Sequence, residues 1–549
     1  MRELRGIGVS PGRAAGPVLH LAPPPSLPSP PAVLDAEAEK DSVRRAVALV
    51  AAELTRRADA AVEDTAAEVL RAQVLMATDE TLTDAADAAI EAGSAAPHAL
   101  AAVLAEHRAA FEAAGGYLAE RVSDLDDLRD RLVAACLGRP MPGVPSPGHP
   151  FILVARDLAP ADTAGLDPSV VLGLVTAEGG PTSHTAILAR TLGIPAVVRC
   201  TGISQLADAV VVALDGGTGA VSVGVSHDEA ASVNAAAARL RTSWAASRGP
   251  GRTADGHPVA LLANIGGARD LTGDVEGVGL FRTELLYLDR TDPPGEQEQV
   301  EAYAAVFSAL PGRKVVVRTL DAGADKPLPF LRGGLPAGEP NPALGVRGLR
   351  VARRAPQVLS TQLSAIATAA AATDADVWVM APMVATPAEA AEFAAACRAH
   401  GLPTTGVMIE VPAAALRAPA ILRDVDFLSI GTNDLSQYTF AADRMRGDLA
   451  ELLDPWQPAL IALIAGCAAA GATAGKPVGV CGESAADPDF ALVLTGLGIS
   501  SLSMAPRSIP AVREALAAHT LQECRQIAKA ALAADTPQAA RAAAGRGAG

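Results

Sequence analysis

At 549 residues the chain exceeds what one hydrophobic core can serve, so two to four domains are expected. Half of the residues are hydrophobic but only 3 % are aromatic, so the cores must be built from Ala, Val, Leu and Ile, which suits helices and buried parallel strands. A formal net charge of −16 argues against nucleic acid or an anionic membrane as the main partner, and leaves room for an anionic substrate only where arginines gather in one cleft.

Residues 1–20 read as two short strands around the turn Ser10-Pro11-Gly12, and the connector APPPSLPSPP that follows cannot be helical. From about Asp35 to Cys136 the composition turns to Ala, Leu, Glu and Arg at helical spacing, which predicts long antiparallel helices with turns near Asp79–Thr81 and Gly93–Pro97. LGRPMPGVPSPGHP ends that run. A compact α/β region follows, with strands expected at FILVAR (151–156), VVLGLVTA (170–177), AVVVALD (209–215) and AVSVG (220–224), and a helix starting near Ser183. Residues 226–248 read as an Ala-rich linker helix, and the Ala/Gly/Arg-rich tail after about Thr536 reads as disordered.

Between about 253 and 532 eight short apolar runs occur: VALLAN (259–264), VGLF (278–281), VVVR (315–318), VWVMAP (377–382), GVMIE (406–410), FLSIG (427–431), VGVCG (478–482) and SLSM (501–504). Helix-compatible stretches separate them, the signature of a closed (β/α)8 TIM barrel. Polar residues cluster where the runs end: Asn264, Arg282, Glu284, Arg318, Asp321, Glu410, Asn433, Asp434, Cys481 and Glu483. In such barrels the C-terminal strand ends form the active site.

The six cysteines (Cys136, Cys200, Cys397, Cys467, Cys481, Cys524) show no CxxC spacing and read as reduced thiols of a cytosolic protein. MRELRGIGVSPG lacks the apolar core of a signal peptide, and no stretch reads as long and apolar enough to span a bilayer. A cytoplasmic chain without membrane insertion is therefore expected.

Three constellations carry chemistry. In GGPTSHTAILART (179–191) a Gly-Gly turn leads to Thr182 or Ser183, either able to cap a helix whose first turn holds His184. Free N–H groups at a helix N-terminus favour a phosphate beside that histidine, and imidazole is a competent nucleophile near neutral pH. Alone, such a histidine is far more often an ordinary surface residue; the full motif reverses that reading. Arg282, Arg318, Arg347 and Arg444 lie near or just beyond strand ends, where guanidinium forks suit phosphate and carboxylate oxygens. Single arginines there are usually solvated charges; several converging on one mouth of an acidic protein point to a small, strongly anionic substrate. Glu410 and Asp434 end adjacent strands, the way proteins hold Mg²⁺ with two carboxylates plus substrate oxygens. Cys481 in VGVCGES reads alone as core filler, and beside a metal and arginines as a proton donor.

GGPTSHTAILARTLGIPAVV, GVGLFRTELLYLDR, VVVRTLDAGADK, NPALGVRGLR, FLSIGTNDLSQYT and GVCGESAADP resemble Enzyme I of the bacterial phosphotransferase system over nearly the whole chain. The resemblance implies a Mg²⁺-dependent barrel that binds phosphoenolpyruvate, a mobile phosphohistidine domain, an inserted helical domain that docks the phosphocarrier protein HPr, and a homodimer through the barrel. Residue by residue it implies His184 as the phosphorylated residue with Thr163 as its hydrogen-bond partner. It places Arg282, Arg318, Arg444 and Asn433 on the phosphate, Arg347 and Lys326 near the substrate, Glu410 and Asp434 on Mg²⁺, and Cys481 as the acid that protonates the enolate. Glu178 and Pro181 depart from the pattern, standing where better-known members carry an aspartate and an arginine.

The expected organisation is an α/β phosphohistidine domain (1–34 and 137–225), a helical insert (35–136), a linker helix (226–252), the barrel (253–532) and a disordered tail (533–549). Two other readings remain: an enzyme like pyruvate phosphate dikinase or phosphoenolpyruvate synthase, and a non-catalytic regulator that docks through phosphohistidine. The first needs a large nucleotide-binding domain, for which only about 140 helix-dominated residues precede the histidine region. The intact ring of acids and arginines argues against the second.

Overall fold

The computed structural model describes residues 2–545 except 23–24, 30–34, 61–63, 115–121, 146, 159–165, 181–182, 288–289, 291, 324–327, 329, 331–340 and 445. The chain divides into two compact units, Met1–Ala238 and Arg239–Gly549.

The first unit holds strands β1 (Arg2–Arg5), β2 (Ile7–Ser10), β3 (Arg13–His20), β4 (Phe151–Ala155), β5 (Val171–Thr176), β6 (Ala196–Val198), β7 (Val211–Asp215) and β8 (Ala220–Val223). They form one sheet in the order β1-β8-β7-β3-β4-β5-β6-β2. The stretch β3-β4-β5-β6 is parallel and the remaining pairs are antiparallel. Side chains alternate across β4, with Phe151 and Leu153 in one core and Ile152 and Val154 in the other, so both faces of the sheet are covered. The N-terminal segment contains three strands where two were expected. Gly6 separates the first two, and a Cβ there would lie 2.5 Å from the Val198 carbonyl oxygen, too close for any side chain. Strand β6 was also unforeseen, being only three residues beside Pro195.

Among the described residues the predicted helical run contains helices Ala36–Ala60, Asp64–Ala77, Glu80–Glu91, Ala96–Ala114 and Val122–Cys136. Leu54, Leu82, Ile90, Leu100, Leu128 and Leu132 build their shared core. Asp79 starts the third by accepting from the Thr81 N–H at 2.8 Å. Helix His227–Ala246 runs across the boundary of the two units.

In the second unit all eight apolar runs are strands: β9 (Ala260–Ile265), β10 (Gly277–Arg282), β11 (Lys314–Arg318), β12 (Asp376–Ala381), β13 (Thr405–Ile409), β14 (Phe427–Gly431), β15 (Val478–Cys481) and β16 (Ser501–Met504). They close into a parallel barrel in sequence order, β16 pairing with β9. Strand alternation sets the layers. Val315 and Val317 join the apolar shell under the helices, whereas Val316 faces inward with Leu280, Met380, Met408, Phe427 and Cys481.

Two expectations are corrected here. Residues Pro537–Gly545 form a helix rather than a disordered tail, with Ala540 and Ala544 buried in the barrel shell. Alanines four apart make a narrow apolar stripe that packs closely, and Arg541 fixes it by pairing with Asp454 at 3.2 Å over the Trp456 ring. The segment Glu451–Ala474 is, by length and composition, apolar enough to cross a membrane. Within it Leu460, Ile461, Ile464 and Cys467 are buried in the barrel shell.

Candidate active site

In the first unit, β5 ends and Gly179 turns the chain at φ +93° toward helix His184–Leu192. Of the two candidate caps, Ser183 is the observed one, its hydroxyl accepting from the Ala186 N–H at 3.3 Å. Gly193 closes the other end in the left-handed conformation. His184 is thus the first helical residue, where the helix offers its free N–H groups. Thr185 is fully buried and donates to Asp157 at 3.0 Å, while Asp157 also accepts from the Leu158 N–H at 2.9 Å. Asp157 therefore ties the end of β4 to the first turn of the histidine helix, a link that sequence spacing does not announce. Glu178, one of the departures noted above, pairs with Arg156 at 2.8 Å on the surface. Pro181, Thr163 and Lys326 lie outside the described residues.

In the second unit the strand ends converge on a ring of charge. Arg282 and Arg318 are register partners at the ends of β10 and β11. Arg282 opens to solvent at the rim, though crowding by protein, and then by Arg318, lowers its pKa. Arg318 is buried; burial disfavours its charge, but Glu284, Asp321 and Glu410 outweigh that and hold it protonated. It donates to Glu284 and lies 3.4 Å from Asp321 and 3.9 Å from Glu410. Its Nε is buried with no hydrogen-bond partner, a donor to spare.

Glu410 follows β13 and is 1 % exposed. Its Oε2 accepts from the Met383 N–H at 2.9 Å, and Met383 adopts φ +57°. Burial pushes Glu410 up to about 7, Asp434 and Asp321 add to the rise, and Arg318 opposes it. That is the response of a carboxylate in a pocket with too little positive charge. A hard divalent cation fits such a place, with Glu410 and the near end of Asp434 as its protein oxygens. Gly431 makes the approach possible, because a Cβ there would lie 2.8 Å from Glu410 Cγ.

Arg347 lies between two buried acids. It is 1 % exposed and donates to both oxygens of Asp321, at 3.1 Å each, and to both oxygens of Asp434, at 3.0 and 3.1 Å. Four of its five N–H donors are committed to these acids, so it acts as a buried counter-ion that orients Asp434. Each Asp434 oxygen retains a lone pair. Arg444 is half-buried with Nη1 3.7 Å from Asp434. Asn433 sits in the first turn of helix Thr432–Phe440, whose start has no side-chain cap.

Cys481 ends β15 and is 2 % exposed in the barrel interior. Its Sγ accepts from the Ser429 hydroxyl at 3.3 Å, and its S–H points to the Ile430 carbonyl at 3.6 Å. Burial raises its pKa, Glu410 adds to the rise, and the Ser429 bond, Arg318 and Arg282 pull the other way. The group stays a thiol at neutral pH, the form that can give a proton.

Comparison with known proteins agrees with this architecture. Three family models match in chain order: PEP-utilising enzyme, N-terminal (residues 5–121); PEP-utilising enzyme, mobile domain (147–219); and PEP-utilising enzyme, PEP-binding domain (242–521). The phosphoenolpyruvate-protein phosphotransferase of Streptomyces coelicolor is 53 % identical over 98 % of this chain and 98 % of its own length. Its namesake from Haloferax volcanii is 41 % identical over 97 % of both chains, and that of Bacillus subtilis 36 % over 98 % of both. The chain belongs to the phosphoenolpyruvate-protein phosphotransferase family, the Enzyme I group of phosphoenolpyruvate-utilising enzymes.

Proposed function

We propose that this enzyme transfers the phosphoryl group of phosphoenolpyruvate to its own His184 and then to HPr, releasing pyruvate, as the first step of sugar phosphotransfer. Phosphoenolpyruvate-dependent phosphotransfer comes with the family. The observation that carries the residue assignment is the barrel mouth, where paired arginines, buried carboxylates and a protonated thiol meet.

Arg282 and the spare Nε of Arg318 bind phosphate oxygens, with Asn433, the uncapped helix start at Thr432 and Arg444 completing the cradle. Glu410 and Asp434 would hold Mg²⁺, and Arg347 fixes the Asp434 carboxylate for that task. Bound Mg²⁺ supplies positive charge that neutralises the substrate's oxygens. A ring nitrogen of His184 attacks phosphorus as the bond to the enolate oxygen breaks. Cys481 gives its proton to the methylene carbon of the enolate, so pyruvate leaves and a thiolate remains. A cytoplasmic setting, where the six unpaired cysteines stay reduced, and a homodimer through the barrel complete the proposal.

Mixing the protein with phosphoenolpyruvate, Mg²⁺ and HPr should release one pyruvate per phospho-HPr formed without any nucleotide. A requirement for ATP or AMP would replace this reading with the dikinase or synthase one.

A further inference from the structure

The thiol that protonates the enolate must be reprotonated before the next turnover, and it is 2 % exposed inside the barrel. Bound substrate would cover it from above. A narrow cavity enters the barrel from the N-terminal strand ends, lined among others by Lys314, Trp378, Ser429, Gly479, Ser501 and Ser503. Exposure falls along it: Lys314, Trp378, Gly479 and Ser501 are half-buried, whereas Ser429 and Ser503 are buried. The lining is unusual for a barrel interior, since Gly479 contributes no side chain and three serines contribute hydroxyls. Ser429 is thus the one lining residue whose hydroxyl also donates to Cys481, at 3.3 Å. Ser429 pairs in register with Gly479 on β15, two residues before Cys481 on the same inward face.

We propose that Ser429 is a relay residue that returns a proton to Cys481 from water entering through the floor of the barrel. After the enolate takes the Cys481 proton, the Ser429 hydroxyl gives its proton to the thiolate sulfur. A cavity water then gives a proton to the Ser429 oxygen. The hydroxide so formed takes a proton from the Lys314 ammonium or from bulk solvent, which closes the balance. Lys314 stands at the outer end with its ammonium 3.7 Å from the centre of the Trp378 ring, and burial lowers its pKa against the pull of Asp376, which makes it a readier donor. This relay rests on Cys481 being the acid of the proposed reaction.

The test compares Ser429→Ala, Ser429→Thr, Gly479→Ala and Cys481→Ser in the full chain, with phosphoenolpyruvate, Mg²⁺ and HPr. Gly479→Ala narrows the cavity without touching the relay, since the new methyl would meet chiefly the Ser501 hydroxyl, 2.5 Å away and free to rotate. Ser429→Ala and Gly479→Ala should each lower kcat about tenfold at unchanged KM and enlarge the solvent deuterium isotope effect on pyruvate release. Ser429→Thr, which keeps the hydroxyl, should restore both. Wild-type kcat and isotope effect in Gly479→Ala, whatever Ser429→Ala does, would overturn the floor route in favour of reprotonation from the mouth. Wild-type turnover in Cys481→Ser would instead overturn the assignment of the acid.

Discussion

Replacing Arg347 by methionine separates a counter-ion from a substrate contact. In the structure its guanidinium makes four hydrogen bonds of 3.0–3.1 Å to two carboxylates. Asp321 is fully buried and Asp434 is 6 % exposed, so the substitution strands two acids away from water. Breaking a buried pair this way costs about 3–5 kcal/mol, because Arg318 at 3.4 Å from Asp321 and Arg444 at 3.7 Å from Asp434 replace little of the lost hydrogen bonding. At roughly 2–4 °C per kcal/mol for a domain of this size, the barrel transition should fall by roughly 6–20 °C. Urea unfolding without Mg²⁺ should show the same loss as a lower midpoint at unchanged slope. Lysine at the same position keeps the charge but not the fork and should recover only part of the loss. Stability within about 1 kcal/mol of wild type, combined with a raised KM for phosphoenolpyruvate, would refute this reasoning and make Arg347 a substrate contact.

Gly431→Ala should push the Glu410 carboxylate off its place and weaken Mg²⁺ binding about 10- to 100-fold by calorimetry, while unfolding changes little. Cys481→Ser should lower kcat by about 10²–10⁴ with KM nearly unchanged, read from pyruvate release. Thr520 caps helix Leu521–Leu532 and bonds Glu523 through its N–H at 2.7 Å and its hydroxyl at 2.8 Å. These bonds, the N–H first, hold the Glu523 carboxyl below its ordinary range. Their stabilisation is full above the ordinary carboxylate pKa and is lost as pH falls through the lowered one. Thr520→Ala should therefore lower the unfolding temperature near neutrality, and its difference from wild type should narrow in acid.

The barrel was legible because its strands are apolar runs of four to six residues separated by helix-compatible stretches, with chemistry-bearing residues at their C-terminal ends. The helix start at His184 was legible because Gly-Gly, a hydroxyl cap and an apolar run coincide in one short segment. What spacing cannot convey is which groups meet across the mouth. Arg347 looks in sequence like any loop arginine, and only the fold brings Asp321 and Asp434 to either edge of its fork. Asp157 and Ser429 carried no signal for the same reason, since their partners Thr185 and Cys481 lie 28 and 52 residues away. The closing helix Pro537–Gly545 was misread because alanine, arginine and glycine are common in disordered tails. Its order comes from the Arg541 ion pairs with Asp454 and Asp487 and from two buried methyl groups, which composition does not reveal.

The central claim is that His184 carries the phosphoryl group. Incubation with phosphoenolpyruvate labelled in its phosphoryl group, with Mg²⁺ and without HPr, should place acid-labile, base-stable label on the wild-type chain. Peptide mapping should locate it to the segment containing His184, and His184→Ala should take up none while unfolding at the same temperature as wild type. Acid-labile label retained in His184→Ala would contradict the account at its root.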